Sequence, residues 1–257
     1  MKVVILAGGF GSRLSEETEI KPKPLVAIGE QPILWHILKI YSHFGLKDFL
    51  IACGYKSEYL KRYFLDMNTL NGSLSIQLDT GVVERHVEQS EDWHIHLIDT
   101  GMQTMTGGRL KRLEPYLRDA TFMMTYGDGV SNIDLHALLR FHQAQGRIAT
   151  VSAVRPPARF GGLLLEDGLA VGFTEKSQIG EGWINGGFFV FEPQVFDYLD
   201  DDQTILETET LPQLAAERQL AAYQHLDFWQ CMDTLREKRL LEDLWREGGK
   251  PWKLWED

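Results

Sequence analysis

Short apolar stretches and helical patterns alternate along the first part of the chain. An apolar run at 3–7 and a largely apolar run at 48–52 each predict a buried strand, because neither alternates with polar positions. Between them, apolar residues recur with the period of a helix over 32–41, and Pro32 suits the first turn of that helix. This order of strand, helix and strand predicts a βαβ unit with parallel strands and a right-handed crossover.

The alternation continues to about residue 155 and then changes. Before that point, further helical patterns occupy 59–64, 108–117 and 134–145, and further strand patterns occupy 74–78, 93–98, 120–126 and 150–154. Beyond it, short strand patterns between glycine-rich turns occupy 162–165, 169–173 and 187–191, and late helical patterns occupy 204–218 and 233–247. The first half therefore predicts a parallel sheet, and the second half predicts an added antiparallel layer.

These elements predict an α/β protein with a single Rossmann-like domain over residues 1–257. The sheet is expected to be mixed but mostly parallel and flanked by helices, with a small antiparallel layer in the second half. Residues 1–155 would form one half, and residues 156–257 would form the other half with the C-terminal helices. Ligands bind open α/β sheets at the carboxyl ends of strands, where the polar segments after Ala7 and Tyr126 lie.

Charge and composition exclude some classes of partner. The chain has 257 residues and a formal net charge of −11, which argues against general affinity for nucleic acid or for an anionic membrane. A local cluster of cations could still bind a small anionic substrate. The first apolar run is too short for a signal peptide or membrane span, and Cys53 and Cys231 form no C-x-x-C motif. We therefore expect a cytoplasmic protein with buried free thiols.

A glycine-rich segment with a cation follows the first predicted strand. Residues 6–14 read Leu-Ala-Gly-Gly-Phe-Gly-Ser-Arg-Leu, so three glycines precede Arg13. Glycines let the backbone approach a ligand closely, and their N–H groups can surround phosphate oxygens. The spacing fits neither the dinucleotide motif G-x-G-x-x-G nor the P-loop. Taken alone, the segment is equally compatible with a simple tight turn.

A second segment, Lys-Pro-Lys-Pro-Leu at 21–25, places Lys23 between two prolines. Prolines stiffen the backbone on both sides, so the loop can hold a cation where a polyphosphate lies. A surface loop is the alternative interpretation, and Arg13 ten residues earlier favours the binding one.

Together the two segments resemble the signature of the sugar-phosphate nucleotidylyltransferase family, which runs G-G-x-G-T/S-R-L and then P-K-P. The resemblance implies a nucleotide-binding α/β sheet and transfer of a nucleotidyl group to a sugar 1-phosphate, with pyrophosphate as the leaving group. The predicted antiparallel layer would then bind the sugar. The nucleotide would contact the strand end, the glycine turn and both cations: Leu6, Ala7, Gly8, Gly9, Gly11, Ser12, Arg13 and Lys23.

Two aspartates could hold a divalent cation. Asp128 lies between Gly127 and Gly129 at the tip of a predicted buried strand, which suits a hard cation, although an Asp-Gly turn is the alternative. Asp233 lies at a junction of strand and helix, where a helix N-cap is the alternative role. The resemblance implies that both hold a catalytic Mg²⁺ and that Gly127 and Asp128 also contact the nucleotide. The expected catalytic set is Arg13, Lys23, Asp128 and Asp233.

The sugar phosphate is expected to contact residues on the antiparallel side. Carboxylate and amide groups pair with sugar hydroxyls, and a lysine suits a phosphate. Ser177 stands where the family often has proline, so this loop departs from the family pattern. The sugar-phosphate site implied by the resemblance comprises Tyr126, Glu175, Lys176, Asn185, Gly186 and Gly187.

Segments at 99–110, 156–161 and 228–236, with the tryptophan-rich tail, resemble the cytidylyl-transferring branch of the family. That branch implies CTP and glucose 1-phosphate as substrates, CDP-glucose as product, in-line displacement and a homo-oligomer. Thr104 and Arg109 match positions that contact the nucleotide, including its base. Arginine only donates hydrogen bonds. Cytosine presents two adjacent acceptors, O2 and N3, whereas uracil carries a hydrogen on N3, so Arg109 would favour cytosine. A solvated residue opening a helix is the alternative for Arg109.

Other interpretations stay open. UTP, dTTP or another sugar 1-phosphate would keep the chemistry and change the substrate. A non-catalytic nucleotide-sugar sensor would keep the fold, but it should have lost a metal carboxylate or a phosphate cation. His94 and His96 would share a strand face, yet no third ligand is near in sequence, so no metal site is predicted there.

Overall fold

A computed structural model describes residues 1–86, 91–155, 162–166, 169–174 and 182–256. The segment predicted to distinguish the branch at 156–161 lies outside the described residues. Within them, the chain forms the following strands: β1 Lys2–Leu6, β2 Ala27–Ile28, β3 Gln31–Pro32, β4 Asp48–Cys53, β5 Ser73–Gln77, β6 Val82–His86, β7 His94–Asp99, β8 Phe122–Tyr126, β9 Gly129–Ser131, β10 Ala149–Val154, β11 Gly162–Glu166, β12 Leu169–Thr174, β13 Ile184–Phe191, β14 Leu220–His225 and β15 Trp229–Cys231.

The helices lie mainly between strands of the large sheet. They are α1 Ser15–Thr18, α2 Ile33–His43, α3 Ser57–Leu70, α4 Thr106–Arg112, α5 Glu114–Leu117, α6 Leu135–Gln145, α7 Leu211–Ala216 and α8 Leu235–Arg246. Short 3₁₀ helices span Ser12–Leu14, Lys23–Leu25 and Pro193–Tyr198, and a π-helical turn spans Leu206–Thr210. In the described part of the chain, no helix combines the length and apolar character needed to cross a membrane.

Seven of the described strands form the central sheet in the order β14-β10-β13-β8-β1-β4-β7. The pairs β1–β4, β1–β8, β4–β7 and β10–β14 are parallel, whereas β13 runs antiparallel between β10 and β8. The predicted mixed, mostly parallel sheet is therefore confirmed, and β1, α2 and β4 form the predicted βαβ unit. The strands β11 and β12 pair antiparallel, as predicted for the second half.

The sheet is buried on both faces, which explains the uninterrupted apolar run of β1. Val3 and Ile5 belong to the hydrophobic cluster on one face, and Val4 and Leu6 belong to the cluster on the other. Successive side chains of a strand point to opposite faces, so both faces require apolar residues. The register Leu6↔Tyr126 then aligns the carboxyl ends of β1 and β8 at one edge of the sheet.

Two long predicted helices are shorter or divided in the structure. The helix expected over 108–117 divides at Leu113 into α4 and α5, because Pro115 has no N–H to continue the helical hydrogen bonds. The helix expected over 204–218 begins instead with the π-helical turn and continues as α7. The strand pattern of β6 was not predicted, and its five residues are all exposed.

A buried histidine joins helix α2 to the C-terminal tail. His36 is fully buried, and Trp252 Nε1 donates to its Nδ1 at 3.3 Å. Its Nε2 therefore carries the proton and donates to the Ile28 carbonyl at 3.0 Å. Burial lowers the pKa of His36 to about 4. Four tryptophan rings lie against this imidazole: Trp35, Trp245, Trp252 and Trp255.

The tail tryptophans thus pack inside the chain. Trp252 is fully buried and Trp255 is 8% exposed. These two rings are therefore part of the hydrophobic core, and the expected homo-oligomer stays a prediction.

We expect His36 to make the protein sensitive to acid. Its pKa is about 4 in the folded chain, against about 6.5 when unfolded, so between these values only the unfolded state binds the proton. The free energy of unfolding should therefore fall, by up to about 3 kcal/mol, as the pH drops from 6.5 to 4. Urea unfolding at several pH values measures this.

The variant His36→Phe keeps an aromatic ring but cannot take up a proton, so its stability should depend less on pH in this window. His43→Phe, at an exposed position on the same helix, should keep the wild-type slope. If the free energy of unfolding depends equally on pH in the wild type and in His36→Phe, the pH dependence does not come from His36.

Candidate active site

A cavity of about 680 Å³ opens at the carboxyl ends of β1 and β8. It lies where open α/β sheets bind ligands. Every described residue that the sequence predicted for the site lines it: Leu6, Ala7, Gly8, Gly9, Gly11, Ser12, Arg13, Lys23, Thr104, Arg109, Tyr126, Gly127, Asp128, Asn185, Gly186, Gly187 and Asp233. Glu175 and Lys176 lie outside the described residues. The structure thus brings segments from both halves of the chain to one cavity.

Two short strands bring the aspartates together. β9 pairs antiparallel with β15 in the register Gly129↔Cys231, and the Met232 N–H donates to the Asp128 carbonyl at 2.8 Å. Asp128 precedes β9 and Asp233 follows β15, so both aspartates lie at the same end of this antiparallel pair. Residues 105 positions apart along the chain meet because of this ribbon.

Helix α8 fixes the backbone at Asp233. Thr234 is its N-cap, and Glu237 completes a capping box by accepting the Thr234 N–H at 2.9 Å. Glu237 also accepts the Asp233 N–H at 2.8 Å. Asp233 is thus not the cap that was considered as its alternative role, so its carboxylate is available to the cavity.

One lysine lies between the two carboxylates. Lys23 Nζ is 2.5 Å from Asp128 Oδ2 and also donates to Asp233 Oδ1. Burial alone would lower the pKa of Lys23, but the two carboxylates outweigh that effect and the pKa is raised. Arg13 adds a bond of 2.8 Å to the other oxygen of Asp233, although its side chain is 75% exposed. Two carboxylates and two cations therefore meet at one point of the cavity, which we call the charged corner.

Arg109 holds the glycine turn against the loop at 100–104. Its Nη2 donates to the Gly8 carbonyl at 3.0 Å, and its Nη1 donates to Thr100 Oγ1 at 2.8 Å and to the Gly101 carbonyl at 2.7 Å. Longer bonds of 3.3 Å reach Cys53 O and Met102 O. The side chain is buried, so the solvated alternative does not describe it.

Close approach explains the glycine at position 8. A Cβ there would lie 2.2 Å from Arg109 Nη1, so any larger residue would have to push the guanidinium group away from its hydrogen-bond acceptors. Gly11 has a positive φ of 66° and precedes the 3₁₀ turn that carries Arg13. The tight-turn and ligand interpretations of this segment are therefore compatible.

A hydrogen-bonded network joins further residues that line the cavity. Tyr126 donates to Glu207 Oε1 at 2.6 Å, and Thr106 donates to Glu207 Oε2 at 2.6 Å. Asn185 Nδ2 donates to the Tyr126 hydroxyl at 3.3 Å. Burial and the neighbouring Glu207 raise the pKa of Tyr126, which therefore stays protonated. Glu207 links the strand end of β8 to the first turn of α4.

Sequence reasoning missed Glu207 and Trp229. Glu207 fell inside a predicted helix, where a glutamate is an ordinary solvated residue, and its position in a π-helical turn had no signal in the pattern. Trp229 donates to the Gly186 carbonyl at 2.6 Å and so supports the predicted sugar side. A π-helical turn often marks a functional site.

The thiols are poor nucleophiles at neutral pH. Burial raises the pKa of both Cys53 and Cys231 to about 12. Both are free, as predicted. Cys53 is buried, but Cys231 is only half-buried and lines the cavity. The chemistry of the cavity therefore depends on its carboxylates, cations and amides.

A sequence profile described as nucleotidyl transferase matches residues 2–257. The chain belongs to the nucleotidyl transferase family. This nucleotidyl transferase is 49% identical over 257 residues to a protein named glucose-1-phosphate cytidylyltransferase from Salmonella typhi, and the match covers 100% of both chains. It is also 28% identical to the mannose-1-phosphate guanylyltransferase catalytic subunit beta of Dictyostelium discoideum, covering 95% of this chain and 64% of that one. The family predicted from 6–14 and 21–25 is confirmed.

Solved structures share the fold of this nucleotidyl transferase. HddC from Yersinia pseudotuberculosis, complexed with GMP-PN, matches with a TM-score of 0.70 at 19% identity, covering 95% of this chain and 99% of that one. A UDP-glucose pyrophosphorylase complexed with UDP-glucose matches with a TM-score of 0.67 at 16% identity, covering 96% and 98%. These likenesses confirm the predicted fold class.

We expect Glu207→Gln to lower nucleotidyl transfer. The substitution removes the charge that accepts hydrogen bonds from Tyr126 and Thr106, and such bonds contribute about 1.5–3 kcal/mol, or roughly tenfold to a hundredfold in kcat/KM. Steady-state kinetics with the nucleotide saturating and the sugar phosphate varied measure the effect.

The control is Glu209→Gln, in the same turn but outside the cavity lining. Tyr126→Phe should lose a similar factor, and the double variant should lose less than the product of the two. Fully additive losses would show that Glu207 does not act through Tyr126.

Proposed function

We propose that the protein transfers CMP from CTP to α-D-glucose 1-phosphate, which yields CDP-glucose and pyrophosphate. The observation that carries this proposal is the match along the full length to the Salmonella typhi relative of that name, at 49% identity. The cavity supports it, because both aspartates, both cations and the glycine turn expected of a working enzyme line one space. A non-catalytic sensor would not need this complete set.

The residues present fit a divalent cation. Asp128 and Asp233 direct carboxylate oxygens at the same lysine nitrogen, so the two groups already converge on one positive charge. Paired carboxylates are suitable ligands for Mg²⁺. When bound there, Mg²⁺ would neutralise charge on the α-phosphate during displacement. We therefore propose Mg²⁺ as the cofactor and these two aspartates as its protein ligands.

The remaining groups would position the two anionic substrates. We propose that Arg13, Lys23 and the backbone amides at 8–11 bind the triphosphate and stabilise the leaving pyrophosphate. Lys23 would exchange its bonds to the carboxylates for bonds to phosphate, because it lines the cavity and a metal ion would take its place between the two aspartates. The sugar phosphate supplies an ionised oxygen as the nucleophile, so in-line attack needs no general base.

The sugar phosphate would bind where the hydrogen-bonded network lines the cavity. Asn185 is exposed to the cavity, and the Gly187 N–H donates to its side-chain oxygen at 2.8 Å, which sets the orientation of the amide. We propose that Tyr126, Asn185, Gly186 and Gly187 contact the hexose. Glu175 and Lys176 complete this part of the proposal on the family resemblance alone.

Base selection is proposed for Thr104 and Arg109. Protein oxygens already accept from both terminal nitrogens of Arg109, so we propose that it acts mainly through the loop that it holds. Met102 lines the cavity in that loop. A backbone carbonyl accepts from the amino group of cytosine and repels the carbonyl oxygen at the same position of uracil. A cytoplasmic location and a homo-oligomer stay predictions.

We expect pyrophosphate release with Mg²⁺, glucose 1-phosphate and CTP, and much slower release with UTP, dTTP, ATP or GTP. A coupled pyrophosphate assay run in parallel on the five nucleotides measures this. Pyrophosphate release with a different nucleotide alone would support the proposed nucleotidyl transfer and contradict the proposed preference for the cytosine base. If all five are inactive, other sugar 1-phosphates are tested, and inactivity with those would favour the sensor.

We expect Asp128→Asn to lower kcat by about a hundredfold or more, since metal stabilisation of the transition state is worth several kcal/mol. Single-turnover formation of CDP-glucose measures the chemical step, and circular dichroism checks the fold. Asp119→Asn, at an exposed carboxylate after α5, is the matched control and should turn over normally. Turnover of Asp128→Asn near the wild-type rate would remove Asp128 from the metal site.

A further inference from the structure

The edge of the central sheet carries two histidines and an aspartate at one point. β7 is the edge strand, and it pairs parallel with β4 in the register Asp48↔His94. His94 and His96 are two apart on β7 and share a face, so Asp48 on the neighbouring strand reaches both. The third ligand that is missing from the local sequence is thus supplied by strand pairing.

Two of the three distances between ligand atoms match the edges of a metal-binding tetrahedron. His96 Nε2 lies 3.3 Å and His94 Nδ1 lies 3.6 Å from the same oxygen, Asp48 Oδ1. One ligand atom from each residue lies within 4.8 Å of the other two. With Zn–N and Zn–O bonds of about 2.0–2.2 Å, ligand atoms in a tetrahedral zinc site are about 3.3–3.6 Å apart.

Among the residues that the structure describes, the carboxylate oxygen at the centre of this group has no hydrogen-bond partner. Asp48 Oδ1 is buried from solvent, yet neither imidazole approaches it with hydrogen-bond geometry. A buried, unpaired carboxylate oxygen is costly, and a cation would satisfy it. The nearest lysine along the chain, Lys47, is 2.6 Å from Asp92 Oδ2 and so is already paired.

We propose that Asp48, His94 and His96 form a binding site for a first-row divalent metal ion, with Zn²⁺ as the ion that fits best. Two imidazole nitrogens and one carboxylate oxygen are a common zinc ligand set, and the three residues leave a fourth position for water. His94 is 72% exposed on its side chain, so an ion can enter from solvent.

The site is separate from the proposed active site. Asp48 and His94 begin β4 and β7, whereas the cavity lies at the carboxyl ends of the parallel strands. Five residues of β4 follow Asp48 before the strand ends near the cavity, so the two sites lie roughly 17 Å apart at the usual rise per residue. A metal here would link the edge strand to its neighbour, and its role would be to stabilise that edge of the sheet.

The test is direct measurement of zinc binding to the full chain. Protein stripped with a chelator is titrated with Zn²⁺ against a chromophoric chelator, with excess Mg²⁺ present so that hard oxygen sites are occupied. We expect one Zn²⁺ per wild-type chain. Asp48→Asn and His96→Ala should each lose about tenfold or more in affinity. His86→Ala, at an exposed histidine on β6, should bind as the wild type does.

Stability gives a second readout that does not depend on activity. Zn²⁺ should raise the melting temperature of the wild type and of His86→Ala, but not that of His94→Ala, whose exposed side chain can be removed without disturbing the core. Pyrophosphate release should be unchanged in all of these variants. Equal zinc affinity in the wild type, His94→Ala and His96→Ala would overturn the proposal, as would the absence of zinc binding to the wild type.

Discussion

The carboxylates of Asp128 and Asp233 are held close together in the cavity, and the repulsion between them has to be offset by the residues around them. Lys23 lies between Asp128 and Asp233, and Arg13 meets the outer oxygen of Asp233, so two cations offset the repulsion between the carboxylates. The stiff loop between two prolines brings the lysine, and the capping box of α8 brings the second aspartate. Opposite charges are therefore already balanced in the charged corner of the cavity.

The geometry of the glycine turn depends on a buried arginine rather than on the turn alone. Arg109 joins Gly8, Gly101 and Met102, so the glycine turn and the loop at 100–104 are parts of one bonded unit. Desolvation of the guanidinium is offset by its many carbonyl acceptors. A shift of the loop at 100–104 would therefore also move the turn at 8–11.

Much of the fold could be predicted from local patterns, because β1 and β4 are apolar on both faces and α2 has clear helical period. The candidate site could be predicted because its segments resemble a known signature, and those segments line one cavity. Asp48 and Glu207 could not be found in this way, since strand register and a π-helical turn bring them to their partners. Pro115, whose effect on a helix is local, could have been used to divide the helix expected over 108–117.

The ribbon of β9 and β15 has a consequence for how the protein is made. Arg13 and Lys23 leave the ribosome early, whereas Asp233 follows more than 200 residues later, and α8 and the tail emerge after it. Strand pairs such as β1 with β8 are also distant in sequence, which slows folding. A nascent chain therefore carries Arg13 and Lys23 long before Asp233 arrives, and the ion pairs that join the three residues can form only after the ribbon has closed.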